Sequence, residues 1–127
     1  MNPFLIVALG GAVGSSLRYG ASVVIGRFWA GSFPLSTLFV NIVGSLIMGL
    51  FIGALVRTTP VWQQEARLFV AVGLLGGFTT FSSFSLDTVT LVERGNIGEA
   101  MLYVALSVAV CLAGLYLGLI ITRIGTS

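Results

Sequence analysis

The chain alternates between long apolar runs and short polar joints. Four runs, at about residues 4–26, 37–56, 68–92 and 100–121, are long enough to cross a bilayer, since a spanning helix needs roughly 20 mainly apolar residues. The second and fourth carry no formal charge. The joints read RFWAGSFPLS, RTTPVWQQEAR and ERGNIGE, and each holds the Gly, Pro or polar residues that end helices. Trp29 and Trp62 fall in the first and second joints, hence at opposite faces, as interfacial aromatic anchors do. The pattern predicts an all-α membrane protein with four transmembrane helices in one domain over 1–127, and nothing left for a soluble domain.

The third run breaks its own pattern. GGFTTFSSFSLD, Gly76 to Asp87, gathers two glycines, two threonines, three serines and three phenylalanines inside an otherwise apolar span. Glycine costs about 1 kcal/mol in a helix relative to alanine, and threonine is stiff at its first torsion. A break near 76–80 follows. Non-helical backbone at membrane depth is tolerated only when buried in protein or lining a cavity, so the break faces inward. Carbonyls released there suit a cation, and amides opening the second half-helix attract an anion. Phe81 and Phe84, three apart, share a face of that half-helix. An aromatic ring has a negative face and a positive edge, so a small anion could pass along ring edges. Ordinary packing is the plainer reading of any one phenylalanine, but Ser82, Ser83 and Ser85 are company that packing does not need.

Other spans carry polar lines and small-residue pairs. Tyr103, Ser107 and Cys111 recur at every fourth position, which stacks them along about 12 Å of one helix face. Thr37, Asn41 and Ser45 do the same on the second span. Taken singly, Thr37 reads as a helix cap after Pro34 and Asn41 as an interhelical hydrogen bond. Two such lines together suggest a polar path, because hydroxyl and amide groups can replace water around a passing ion. Gly10/Gly14, Gly49/Gly53, Gly73/Gly77 and Gly114/Gly118 are spaced four apart and predict close helix packing.

Composition narrows the chemistry. With 57% hydrophobic and 8% charged residues, the chain lies far from the roughly 25% charge of soluble domains. Its net charge of +2 is dispersed, which argues against a nucleic-acid partner. There is no histidine, one cysteine and only Glu65, Asp87, Glu93 and Glu99 as acids, too little for a hydrolytic triad or a Cys/His metal site. The expected class is a non-enzyme, and the first run lacks the charged flank and cleavage site of a signal peptide. Arg18 interrupts the first span with no acid within a turn on its helix. It either snorkels to the interface or faces a water-filled vestibule and draws anions inward.

Arginines are split almost evenly between the two membrane faces. Arg57, Arg67 and Arg123 fall on one side, Arg27 and Arg94 on the other, so the usual bias that sets orientation is nearly absent. Either insertion is controlled from elsewhere, or the chain inserts both ways and pairs with an inverted copy. The second is preferred, because four short helices alone enclose little room for a transport path.

The combination resembles the Fluc (CrcB) family of fluoride channels. The resemblance covers the whole chain in length and span order. It is carried by GGFTTFSSFS, by GSSLRYG around Arg18 and by STLFVNIVGS around Asn41. Ser83 stands where the family more usually has Thr, and Asp87 where Glu is common. The resemblance implies an antiparallel dual-topology homodimer in the cell membrane, with two narrow pores that let cytoplasmic fluoride leak out passively. By position, Phe81 and Phe84 would line the pores with ring edges toward fluoride and Asn41 would donate an amide hydrogen bond nearby. Thr37, Tyr103 and Ser107 would form a polar track, with Cys111 at a position often held by a hydroxyl residue. Arg18 would sit in the vestibule, and main-chain oxygens of Gly76 and Thr79 from both subunits would hold a structural sodium ion at the dimer centre.

Two other readings compete. A coupled exporter of the small multidrug-resistance type is similarly short, four-spanning and often dual-topology, but it predicts a carboxylate in the first span, where this chain has only Arg18. A packing subunit of a larger membrane complex would account for the glycine pairs and not for the serine-embedded phenylalanines.

Overall fold

The computed structural model describes residues 2–124 and is helical almost throughout. Helix α1, Pro3–Phe28, starts where Asn2 accepts the Phe4 amide at 2.7 Å, with proline at its first position. Helix α2, Leu35–Thr58, starts directly after Pro34 and ends at Thr59, whose φ of 40° turns its amide back to Leu55 O at 2.9 Å. Thr37 therefore lies inside the first turn of α2 and does not cap it. Leu35 opens the helix three residues earlier than the capping reading requires.

The third segment is composite. It comprises α3, Gln63–Ala66, a π-helix, Arg67–Leu75, then α4, Gly76–Phe78, and α5, Phe81–Glu93. Between α4 and α5, Thr79 (φ −86°, ψ 161°) and Thr80 (φ −155°, ψ 119°) are extended. Helix α5 closes on a Schellman turn: Gly95, at φ 83°, donates to Val92 O at 3.0 Å and Asn96 to Leu91 O at 2.8 Å. Helix α6, Ile97–Ile124, completes the chain.

Four segments are long and apolar enough to cross a membrane: Pro3–Phe28, Leu35–Thr58, Gln63–Glu93 and Ile97–Arg123. Each extends past the run counted from hydropathy, because caps and polar end turns remain helical beyond the apolar stretch. Much of the outer surface is apolar, with Leu5, Leu9, Val13, Leu112 and Leu117 among many exposed large side chains. In water such a surface would be a liability; in a bilayer it is the solvent-facing side.

The glycine pairs decide which helices meet. Helix α2 packs chiefly on α6, and α1 on the π-helix and α4. A β-carbon on Gly14 would coincide with the Leu74 carbonyl, and one on Gly49 with the Leu115 carbonyl. Only glycine lets the backbones come this close, and in lipid this contact is the main source of helix association. A small core of Leu38, Leu91, Ala100 and Tyr103, with Phe33 and Phe84 packed on it, joins α2, α5 and α6.

Candidate functional site

The extended pair Thr79–Thr80 redirects backbone groups that a continuous helix would satisfy by itself. Asn41, reaching over from α2, takes both polar groups of Thr80: its Oδ1 accepts the Thr80 amide at 2.8 Å and its Nδ2 donates to the Thr80 carbonyl at 3.1 Å. This double contact also fixes the amide's orientation, since the flipped side chain would set donor against donor. Thr80 in turn caps α5, its Oγ1 accepting the Ser83 amide at 3.1 Å. Thr79 stays tied to the end of α4, donating from both its amide (3.0 Å) and its hydroxyl (2.9 Å) to Leu75 O.

The carbonyls of the interruption can then be accounted for one by one. In an unbroken helix the Gly76 carbonyl would receive the Thr80 amide and the Thr79 carbonyl the Ser83 amide. Both amides go elsewhere, to Asn41 and to the Thr80 hydroxyl, so both oxygens lose their helical donor. The Gly77 carbonyl is taken by Arg18, whose Nε donates to it at 3.0 Å. Arg18 is thus held against the third segment and does not reach out along α1. The guanidinium also lines a polar cavity of about 410 Å³ with Ser15, Ser22, Thr37, Thr80 and Ser83.

A second cavity, of about 380 Å³, lies against the same interruption and shares Thr80 with the first. Its walls include Asn41, Thr79, Phe81, Phe84 and Ser107. Ser107 is 6% exposed and its Oγ has no hydrogen-bond partner, an arrangement that costs free energy unless a water or another polar guest meets it. The phenylalanine rings stand in a row that runs inward. Phe81, 77% exposed on the single chain, lies 5.4 Å from Phe84, which lies 5.1 Å from Tyr103, and Tyr103 meets Phe33 edge-on at 5.6 Å.

Tyr103 is fully enclosed and lines neither cavity. Its hydroxyl donates to Asp87 Oδ2 at 3.1 Å, and the Thr37 side chain lies beside that Tyr103 hydroxyl. About two turns further along each helix the pattern repeats, with Ser45 beside the Cys111 sulfur. The two polar lines of α2 and α6 therefore face each other across the helix pair. Phe81, Phe84, Asn41 and Ser107 share one cavity; Thr37 and Arg18 share the other; Tyr103 connects them through Phe84 and Thr37. Gly76 and Thr79 contribute the released oxygens. Among the described residues no group of three His, Cys, Asp or Glu side chains could hold a metal ion.

Three features escape a reading of the residues alone. Thr80 as the clamped residue, the Asp87 contact to Tyr103 and the Arg18 contact to Gly77 all link distant segments. The only local signal was the threonine pair itself. The π-helix is also unannounced: nothing in RLFVAVGLL differs from an ordinary apolar helix, and such wide turns recur at functional sites.

Comparison with known proteins adds an independent line. Residues 5–119 match the family model described as CrcB-like protein, Camphor Resistance (CrcB). A fluoride-specific ion channel FluC from Hyphomonas neptunium is 50% identical over 123 residues, covering 97% of this chain and 97% of that protein. The FluC of Paracoccus denitrificans is 51% identical over 122 residues, with 96% and 95% covered. That of Thermus thermophilus is 45% identical over 125 residues, with 98% and 93% covered. With four membrane-spanning segments and matches that run nearly end to end, this multi-pass membrane protein belongs to the CrcB-like family.

Proposed function

We propose that the protein is a passive, selective fluoride channel that lets cytoplasmic fluoride leave across the cell membrane through two pores of an antiparallel homodimer. The observation that carries this reading is one cavity in which Phe81 and Phe84 meet Asn41 and the unpartnered Ser107 hydroxyl, beside an interrupted third helix. The names of the relatives point the same way.

The physical task is desolvation. A bare ion in a medium of low dielectric costs tens of kcal/mol by Born estimates, on the order of the penalty that keeps ions out of lipid. No single group offsets that. A series of weak donors does, provided each holds the ion loosely enough to pass it on. Fluoride leaves the vestibule beside Arg18, whose charge favours an anion, and passes the positive ring edges of Phe84 and Phe81. Asn41 has two amide hydrogens and spends one on Thr80, which leaves the other to point along the path. Ser107 and the Thr37–Tyr103 pair extend the polar track. Narrow spacing and stiff donors favour fluoride over larger halides.

Family resemblance also implies a sodium ion at the dimer centre. The donors fit: Gly76 and Thr79 carbonyls, neutral and deprived of their helical amides, are the type of oxygen that interrupted membrane helices offer to sodium. Both residues, from two inverted copies, would hold it, and the ion would supply positive charge that keeps the opposed carbonyls together. Melting of the purified protein should then fall when sodium is replaced by N-methylglucamine; equal melting in both contradicts the assignment.

A fluoride electrode and proteoliposomes test the main reading. Rapid fluoride release, little chloride release and no dependence on a proton gradient are expected. Transport that runs only against a counter-ion would instead favour the coupled exporter, for which α1 lacks a carboxylate.

A further inference from the structure

The cavity beside the break is lined by two sulfur-bearing side chains for which the fluoride reading has no use. Met48 and Cys111 both line it, together with Ser45 and Ser107. Cys111 is a half-buried free thiol, and the Ser45 hydroxyl lies beside its sulfur. Ser107, more than nine-tenths buried at 6% exposed, also lines this space, and its hydroxyl has no hydrogen-bond partner. Buried hydroxyls in that condition are met by water or another polar guest, and the thiol lines the same cavity.

Thiolate and thioether are soft ligands and select soft cations such as Cu(I). No carboxylate lines this cavity and the chain has no histidine, which leaves hard and borderline divalent ions without their usual partners. Charge favours a monovalent ion as well. When the metal replaces the thiol proton, the S–H bond breaks with its electron pair left on sulfur, the sulfur–metal bond forms, and the proton leaves to water in the cavity. Net charge at the site is unchanged, so no uncompensated ion is left in a medium where one is costly.

We propose that Cys111 and Met48 form a binding site for a soft monovalent cation of the silver or cuprous class, and that its occupancy obstructs the cavity. The obstruction, though not the binding, rests on the fluoride-channel reading.

Silver nitrate in chloride-free buffer is the probe. Native mass spectrometry of the full chain is expected to show one silver ion per chain, and fluoride efflux from liposomes is expected to fall sharply and recover on adding a thiol. Cys111→Ser should take up no silver, with its own efflux rate unmoved by silver. Met48→Leu should bind silver about tenfold more weakly, the scale on which losing a supporting group weakens a metal site. No uptake by the unaltered protein, or equal uptake by Cys111→Ser, overturns the site. Silver held at Cys111 with efflux unslowed removes Cys111 from the ion path and overturns the obstruction. A protein that passes no fluoride even without silver defeats the channel reading, and the mass measurement then decides the metal site by itself.

Discussion

A backbone amide and carbonyl left without partners at membrane depth would each cost about 1–3 kcal/mol, and at Thr80 both depend on the side chain of Asn41. Asn41→Ala should therefore destabilise the fold by about 2–6 kcal/mol, read as a lower melting temperature in detergent. A melting temperature for Asn41→Ala equal to that of the unaltered protein would remove the clamp from the account. Arg18 shows what sequence could not decide. Its charge inside an apolar span left two destinations open, because no acid on its own helix answers it. Its partner is a carbonyl 59 positions away, and no local pattern encodes that distance. Asp87 is a similar case: its position near the end of an apolar run was legible, its hydrogen bond to Tyr103 was not.

At the level of helices, most of the architecture could be read from spacing. Apolar runs gave the four spans to within a few residues, and glycines four apart marked the faces that meet, since in lipid close packing replaces hydrophobic burial as the organising force. The pairing itself, α2 with α6 and α1 with the π-helix, is not encoded in that spacing, as every helix carries the same signal. The extended residues at 79 and 80 fall inside the stretch where two glycines and two threonines weaken helix propensity. The π-helix does not follow from any such weakness; the carbonyls of Phe69 and Leu74 that it sends toward α1 occupy the sites where Gly10 and Gly14 would carry β-carbons. Gly49→Leu tests the tightness of the other pair. Its side chain would meet the Leu115 carbonyl, a backbone atom that cannot swing aside, so the variant should lose its monodisperse elution in detergent, while Gly20→Leu, with open space around it, should elute unchanged. Equal behaviour of the two would contradict close α2–α6 contact.

At the scale of the whole molecule, Phe81 calls for a cover. On the single chain this ring is 77% exposed beside a largely apolar cavity that also holds Asn41, Thr79 and Thr80, polar groups that are costly to leave against lipid. A second, inverted copy would cover it, and the three-to-two division of arginines permits either orientation. Val61, wholly exposed in the joint after α2, gives a handle: Val61→Cys in a Cys111→Ser background should react with a membrane-impermeant maleimide from both sides of the cell membrane in comparable amounts. Labelling from one side alone would rule out dual topology.

The most direct test of the central claim is fluoride efflux from proteoliposomes carrying Phe81→Ile or Phe84→Ile. Each exchange keeps apolar bulk and removes the polarised ring edge. If the rings conduct, efflux falls to the leak of protein-free vesicles while melting and elution stay close to those of the unaltered chain. Undiminished efflux from both variants would contradict the account, because the rings would then be packing and the anion would travel elsewhere.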